Sequence, residues 1–92
     1  MYVRVVEQTD FCVLVKENEN NNYYVIQNYS FNKDGFDFKM NSDQTYYVSP
    51  MSYGMDVWID GRVASTKPIL LKTDTLEKAV KKLHSIHSFV SL

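Results

Sequence analysis

Two hydrophobic periodicities divide this chain of 92 residues, and the division limits what it can fold into. As far as Thr66, short apolar runs separated by turn residues are typical of β-strands. Beyond Pro68, apolar residues recur at the three-and-four spacing of an amphipathic helix. The length allows one hydrophobic core and not two. The sequence therefore predicts a single α+β domain over residues 1–92, with one C-terminal helix packed on a small sheet.

The C-terminal helix has the clearest pattern in the chain. Thr73 and Asp74 are expected to cap its N-terminus, with Glu77 three residues after Asp74 as in a capping box. Pro68 keeps the helix from extending backwards. The apolar face comprises Leu76, Ala79, Val80, Leu83, Ile86 and Val90. The opposite face presents Lys78, Lys81 and Lys82, which we expect to guide a partner electrostatically.

Turn residues separate the strand-like runs, which predict a mostly antiparallel sheet of about five to six strands. Residues 2–7 and 11–16 are either a tight hairpin, which we favour, or one long strand with a bulge. The run at 11–15 is apolar on both faces and therefore predicts a central strand. Asp60 and Gly61 form the clearest two-residue hairpin signal. The strand-like runs span residues 2–7, 11–16, 23–31, 36–40, 45–48, 55–59 and 62–66, and the first two count as one strand if a bulge joins them.

Cysteine content and hydropathy favour a cytoplasmic protein without a membrane partner. Cys12 is the single cysteine and cannot form an internal disulfide, as expected in a reducing compartment. No apolar run is long enough to span a bilayer. The first residues lack the basic and apolar pattern of a secretory leader.

No motif in the sequence indicates a catalytic site, a cofactor-binding site or a metal site. His84 and His87 are three residues apart on the helix, but nothing at a suitable offset completes a ligand set. We interpret both as residues at the edge of the core. Cys12 lies in an apolar run, where a thiol is usually an inert small hydrophobe. We therefore expect a non-enzymatic protein with no catalytic residues, no cofactor and no metal.

Large amphipathic side chains are more numerous than one sheet face can bury. Adjacent tyrosines in a strand, such as Tyr23 and Tyr24, must point to opposite faces, so some rings point outwards. Tyrosine and tryptophan anchor protein interfaces, whereas cross-strand packing of the same rings is the alternative explanation. A homodimer would satisfy both interpretations. The predicted partner-binding residues are Tyr23, Tyr24, Tyr46, Tyr47, Tyr53 and Trp58.

Charge is unevenly distributed along the chain, although the net charge is only −1. Residues 1–61 contain four bases and nine acids, whereas residues 62–92 contain six bases and two acids. The alternative function is therefore a nucleic-acid-binding module that uses Lys72 and the helix lysines. The segment from Lys33 to Phe38 resembles the lysine-glycine-aromatic strand of RNA-binding sheets. Asp34 and Asp37 depart from that pattern and would repel phosphate.

These features favour a small protein-binding module over a nucleic-acid-binding one. The abundance of asparagine, lysine and tyrosine is compatible with an AT-rich coding source. Small chains of this kind are often accessory proteins of phages or mobile elements. By that analogy, we expect the protein to bind and inhibit a host factor.

Overall fold

The computed structural model describes residues 1–27 and 45–86, which form one seven-stranded sheet and one helix. The sheet order is β6-β5-β4-β1-β2-β3-β7, and every pairing is antiparallel. The predicted α+β architecture is thus confirmed, with more strands than the five to six expected. The elements are β1 (Tyr2–Gln8), β2 (Cys12–Glu17), β3 (Tyr23–Gln27), β4 (Thr45–Met51), β5 (Gly54–Ile59), β6 (Arg62–Lys67), β7 (Ile69–Thr73) and α1 (Leu76–Ser85).

Both predicted hairpins are present. β1 and β2 pair directly, and the register shifts between Val5 and Glu7, so Val6 forms a bulge within the hairpin. Asp60 and Gly61 connect β5 to β6 with φ angles of 52° and 78°. Positive φ at both positions gives a turn whose twist matches that of the flanking strands. The turn chemistry of Asp60 and Gly61 therefore determines the connection between β5 and β6.

The seventh strand comes from a segment that the sequence pattern did not predict as a strand. β6 ends at Lys67 and β7 begins at Ile69, so only Pro68 separates them, yet they occupy opposite edges of the sheet. The amide of Gln27 donates to the carbonyl oxygen of Pro68 at 3.0 Å. The sheet must therefore curl until its two edges meet at Pro68, giving a partly closed barrel.

Curling divides the core into two clusters on opposite faces of the sheet. The inner cluster draws on β1 to β5, and Ile69 of β7 packs against it. The outer cluster lies beneath α1, which contacts β2, β3 and β7. β2 contributes to both clusters, as predicted for a central strand that is apolar on both faces. The buried inner residues are Val3, Val5, Val13, Val15, Tyr24, Ile26, Tyr46, Val48, Met55 and Val57, and the outer ones are Cys12, Leu14, Val25, Ala79 and Leu83.

The helix buries Ala79 and Leu83 of the predicted apolar face, whereas Leu76 at its first turn is exposed, and its start also differs from the prediction. Thr75, and not Thr73 or Asp74, is the N-cap residue, and its side chain makes no capping hydrogen bond. Thr73 instead accepts a hydrogen bond from the Thr75 amide at 3.2 Å. Thr73 ends β7, so it cannot also cap the helix. The predicted capping box at Asp74 and Glu77 is therefore wrong.

Several predictions fall outside the described residues. These are the strand at 36–40, the C-terminal part of the strand at 23–31, the RNA-binding-like segment from Lys33 to Phe38, His87 and Val90.

Candidate functional site

A row of aromatic rings crosses the outward side of three neighbouring strands. Tyr2 of β1 pairs with Tyr47 of β4, and Tyr47 pairs with Trp58 of β5. Their neighbours along each strand point inwards because side chains alternate between faces. The rings of Tyr2 and Tyr47 meet edge to face at 5.1 Å, and those of Tyr47 and Trp58 at 6.3 Å. We call Tyr2, Tyr47 and Trp58 the aromatic row.

The aromatic row remains accessible in the folded chain. Tyr2 is 57% exposed and Tyr47 is 44% exposed, while Trp58 is partly buried. Val63 pairs with Trp58 and extends the row onto β6 with 41% exposure. The helix contacts β2, β3 and β7, so it does not cover this part of the sheet. The row is thus an exposed aromatic surface on three neighbouring strands.

An open hollow of about 350 Å³ adjoins the aromatic row. Its lining consists of the three rings together with Asp60 and Gly61 of the β5–β6 turn. A smaller hollow of about 170 Å³ borders Tyr2 and includes Glu17 and Glu19 in its lining. The Asn22 side chain donates to Glu17 at 3.1 Å, which lowers the pKa of that carboxyl and keeps it ionised. Both hollows therefore combine aromatic surface with carboxylates, and the smaller one is also lined by Met1, whose ammonium donates to the Val48 carbonyl oxygen.

Hydrogen bonds next to the aromatic row hold its edge in place. The Trp58 indole nitrogen donates to Ser49 Oγ at 3.0 Å, which fixes the orientation of the ring. Asp56 lies on the same face of β5 and is 7% exposed. Its carboxylate accepts hydrogen bonds from Thr66 at 2.7 Å and from the Tyr53 hydroxyl at 3.1 Å. The bond to Asp56 raises the pKa of Tyr53 above its usual value.

The structure separates the tyrosines that the sequence grouped as partner-binding. Tyr47 and Trp58 lie together on the surface. Tyr53 donates a hydrogen bond to Asp56, which is on the same face of β5 as Trp58. Tyr23 packs against the cluster beneath the helix. Tyr24 and Tyr46 belong to the inner core and are at most 4% exposed. These two rings cannot contact a partner while the sheet is intact, because alternation turns them towards the core.

Tyr2 belongs to the aromatic row but was not among the predicted site residues. The alternation of Val3 and Val5 along the first strand could have shown that Tyr2 points outwards. Its contact with Tyr47 could not have been found, because it depends on the pairing of β1 with β4. That pairing joins segments more than forty residues apart in the sequence.

The predicted electrostatic residues Lys78, Lys81 and Lys82 are all exposed on α1. We call them the lysine face. Lys72 does not extend it, because its ammonium lies 5.7 Å from the ring centroid of Tyr24, on the opposite side of the sheet. Alternation accounts for this, since the preceding residue, Leu71, packs against the cluster beneath the helix, as does Leu70 at the irregularity in β7.

Cys12 and His84 are further reactive side chains in the described part of the chain. Burial raises the pKa of the Cys12 thiol to about 11, so it is protonated and a poor nucleophile at neutral pH. His84 contacts the carboxylate of Glu7, which links α1 to β1. Among residues 1–27 and 45–86, no three His, Cys, Asp or Glu side chains are grouped to hold a metal ion.

The same described residues contain no helix with the length and apolarity needed to cross a membrane. Comparison of the chain with protein-family models, with curated proteins and with solved structures found no match to any of the three.

Proposed function

We propose that this protein is a non-enzymatic, cytoplasmic protein-binding module whose aromatic row contacts a protein partner. The observation that carries the proposal is the alignment of Tyr2, Tyr47 and Trp58 in one exposed row across β1, β4 and β5. Large rings of this type supply most of the binding energy in many protein interfaces. Cys12 is a free, buried thiol, as is usual for cysteines in a reducing compartment.

The strands beneath the aromatic row favour tight binding because the rings are held before a partner arrives. β4 and β1 each lie between two hydrogen-bonded neighbours, and Ser49 fixes the Trp58 indole. An ordered side chain loses little conformational entropy when it is covered. Rings on a rigid sheet therefore make better anchors than the same rings on loops.

The charges around the aromatic row favour a protein over a nucleic acid. Asp60, Glu17 and Glu19 line the hollows beside the rings and would repel phosphate groups. Arg4 is a base on the same face, because it follows Tyr2 by two positions along β1. A protein surface with both charges can match this arrangement, whereas a phosphate backbone cannot.

Nucleic-acid binding through the lysine face is the second candidate function. Lys78, Lys81 and Lys82 are exposed and lie away from the aromatic row, on the helix over β2, β3 and β7. Without Lys72 the lysine face has three cationic side chains, so the binding of a nucleic acid would release few counterions. We therefore place this function second.

The same surface would serve the more specific roles that we propose from the sequence. A phage or mobile-element protein that inhibits a host factor would present the aromatic row to that factor. In a homodimer, a second copy of the chain would cover the row. Either occupant would remove exposed aromatic area from water.

Affinity capture with three forms of the tagged protein tests the proposal. The forms are the wild type, Tyr47→Thr, and a triple variant with glutamine at Lys78, Lys81 and Lys82. Threonine at position 47 keeps strand propensity but removes the central ring of the row. Lysate from the native host is used with and without nuclease, and retained proteins are identified by mass spectrometry.

We expect one stoichiometric protein that survives nuclease, is lost with Tyr47→Thr and is retained with the triple variant. The interaction is then repeated with the purified pair. Loss upon nuclease treatment together with loss in the triple variant would support the nucleic-acid function instead. Sedimentation of the purified protein shows whether a second copy occupies the row, since Tyr47→Thr would then convert a dimer to a monomer.

A further inference from the structure

The hollow beside the aromatic row combines two features that both attract a cation. Its walls are the rings of Tyr2, Tyr47 and Trp58, and neighbouring ring planes are inclined by 72° and 77°. Rings inclined at such angles do not share a plane, so the surface of the row includes ring faces as well as ring edges. The face of an aromatic ring is electron-rich and attracts ammonium and guanidinium groups.

Asp60 supplies the second feature. It is exposed at the tip of the β5–β6 hairpin and lines the hollow together with Gly61. Its φ angle of 52° belongs to the turn conformation, so the backbone beneath this carboxylate has a defined shape. Among the described residues, those lining the hollow include no lysine or arginine. The hollow therefore has aromatic walls and a single, negative charge.

We propose that this hollow receives an arginine side chain of the protein partner. The inference rests on the proposed function, since it names the chemistry of the partner at the aromatic row. A guanidinium is planar and weakly hydrated, so it can stack on a ring while it donates two hydrogen bonds to a carboxylate. Lysine offers a compact, strongly hydrated ammonium that cannot do both.

The size and charge of the hollow disfavour other occupants. The hollow is open to solvent and has a volume of about 350 Å³, which leaves room for one long side chain. A carboxylate or phosphate would be repelled by Asp60. An apolar side chain would remove the Asp60 carboxylate from water without a partner, which costs free energy.

The inference is tested by titrating the purified protein with capped tripeptides of the form acetyl-Gly-Xaa-Gly-amide. Xaa is arginine, lysine or citrulline, which keeps the planar shape of arginine but has no charge. Trp58 is the only tryptophan in the chain, so its fluorescence and its indole N–H resonance report directly on the hollow. We expect saturable shifts with the arginine peptide, weaker binding of the lysine peptide and no saturable change with the citrulline peptide.

Variants identify the carboxylate that is responsible. Asp60→Asn should weaken binding of the arginine peptide by about tenfold, as expected for a lost charge-assisted hydrogen bond. Asp10→Asn is the matched control, because Asp10 is an exposed acid at the β1–β2 turn and lines neither hollow. Arg4→Gln should bind the peptide equally well or more tightly, since it removes a like charge from the same face.

The inference is overturned if the arginine peptide gives no saturable shift, if citrulline binds equally well, or if Asp60→Asn has no effect. Its failure is distinguishable from that of the proposed function. A captured partner that is lost with Tyr47→Thr but bound normally by Asp60→Asn would leave the protein-binding function intact and remove only the arginine.

Discussion

At the scale of single residues, the carboxylate of Asp56 connects three parts of the exposed sheet. One oxygen accepts from Thr66 on β6 and the other from Tyr53 in the turn before β5. A buried carboxylate is stable only when such donors compensate for the water it has lost. Asp56 is thus a structural residue that supports the edge of the aromatic row.

Asp56→Asn should destabilise the protein by about 1–3 kcal/mol. An amide is uncharged and keeps one acceptor oxygen, so one of the two hydroxyls loses its carboxylate acceptor and faces an N–H donor instead. Urea unfolding measures the loss, and Asp60→Asn is the control because Asp60 is exposed and should change stability by less than about 0.5 kcal/mol. Equal stability of both variants would show that the carboxylate does not hold this edge together.

The pH dependence of Tyr53 follows from the same hydrogen bond. The bond raises the pKa of Tyr53 above 10.0 in the folded state, so its stabilisation is fully present below pH 10.0. It is lost as the pH rises through the folded-state pKa, because a tyrosinate cannot donate to Asp56. NMR titration of the Tyr53 ring should show a pKa above that in Asp56→Asn, where the charge is absent. Identical values would contradict the assignment.

Alternation in the sequence showed that neighbouring tyrosines face opposite ways but could not show which one faces inwards. Tyr24 and Tyr46 are inside, whereas Tyr47 is outside. For Tyr24 the reason is that β3 packs against an apolar cluster on each face, so neither face of that strand can be recognised as polar. The direction of a ring in such a strand depends on tertiary packing, which the residues of the strand itself do not encode.

At the scale of elements, the turn between β4 and β5 depends on a close backbone approach. Gly54 has a φ of +149°, and a Cβ there would lie 2.7 Å from the carbonyl oxygen of Lys67. Backbone cannot move aside as a flexible side chain can. Position 54 must therefore lack a side chain for β5 and β6 to pair at this end.

Gly54→Ala should destabilise the protein by at least about 2 kcal/mol, through backbone strain and overpacking. Gly61→Ala is the matched control, since its φ is +78° but no atom lies within 4 Å of the added methyl group. It should cost about 1 kcal/mol from conformation alone. Thermal or urea unfolding compares the two, and a larger loss for Gly61→Ala would contradict the close approach.

The helix should depend on Leu83 far more than on Leu76. Leu83 of α1 is fully buried between the helix and the sheet. Leu83→Ala should therefore lower the free energy of unfolding by about 3 kcal/mol, through lost burial and a cavity. Leu76 is 43% exposed although it continues the same apolar spacing, and Leu76→Ala should cost less than about 0.5 kcal/mol. Denaturant unfolding measures the free energy of unfolding of both variants. Similar losses in the two variants would contradict this prediction.

The sequence predicted elements correctly where turn residues determine the local structure. It did not predict elements that form only through pairing with a distant segment. Asp60 and Gly61 require a hairpin in almost any context, and that hairpin was predicted. Residues 69–73 were not predicted as a strand, because Pro68 interrupts the pattern and the segment pairs with β3, which lies far away in sequence. Thr73 was misread as a cap for the same reason, since it belongs to that strand.

At the scale of the whole molecule, the segment from β6 to β7 links the two sides of the barrel. β6 pairs with β5, which carries Trp58 of the aromatic row. β7 pairs with β3, and both strands contact the helix. Only Pro68 lies between them. Loss of structure on one side should therefore propagate to the other.

Unfolding should accordingly be a single cooperative transition. Trp58 fluorescence reports on the β4–β5 side, and far-UV circular dichroism reports on the helix and sheet together. We expect the two signals to give the same midpoint in urea, in the wild type and in Leu83→Ala. Separate midpoints would show that the helix side unfolds independently of the aromatic row.

The fold class was predictable, because one helical and several strand-like segments in 92 residues leave few alternatives. The strand order was not predictable, and the candidate site depends on it. Tyr47 and Trp58 were identified from their chemistry, but their alignment with Tyr2 requires β1 to insert between β2 and β4. Non-local pairing of this kind leaves no periodic signal within any one segment.

The position of β1 also affects how the chain is made. β1 is synthesised first among the strands, yet one of its two neighbours, β4, is synthesised only after β2 and β3. On the ribosome, the nascent chain would hold β1 with one edge unpaired until β4 emerges, and the barrel could not close before β7. Long-range pairing of this type slows folding and leaves strand edges open to other chains. A chaperone that shields nascent chains would therefore have its largest effect during this interval.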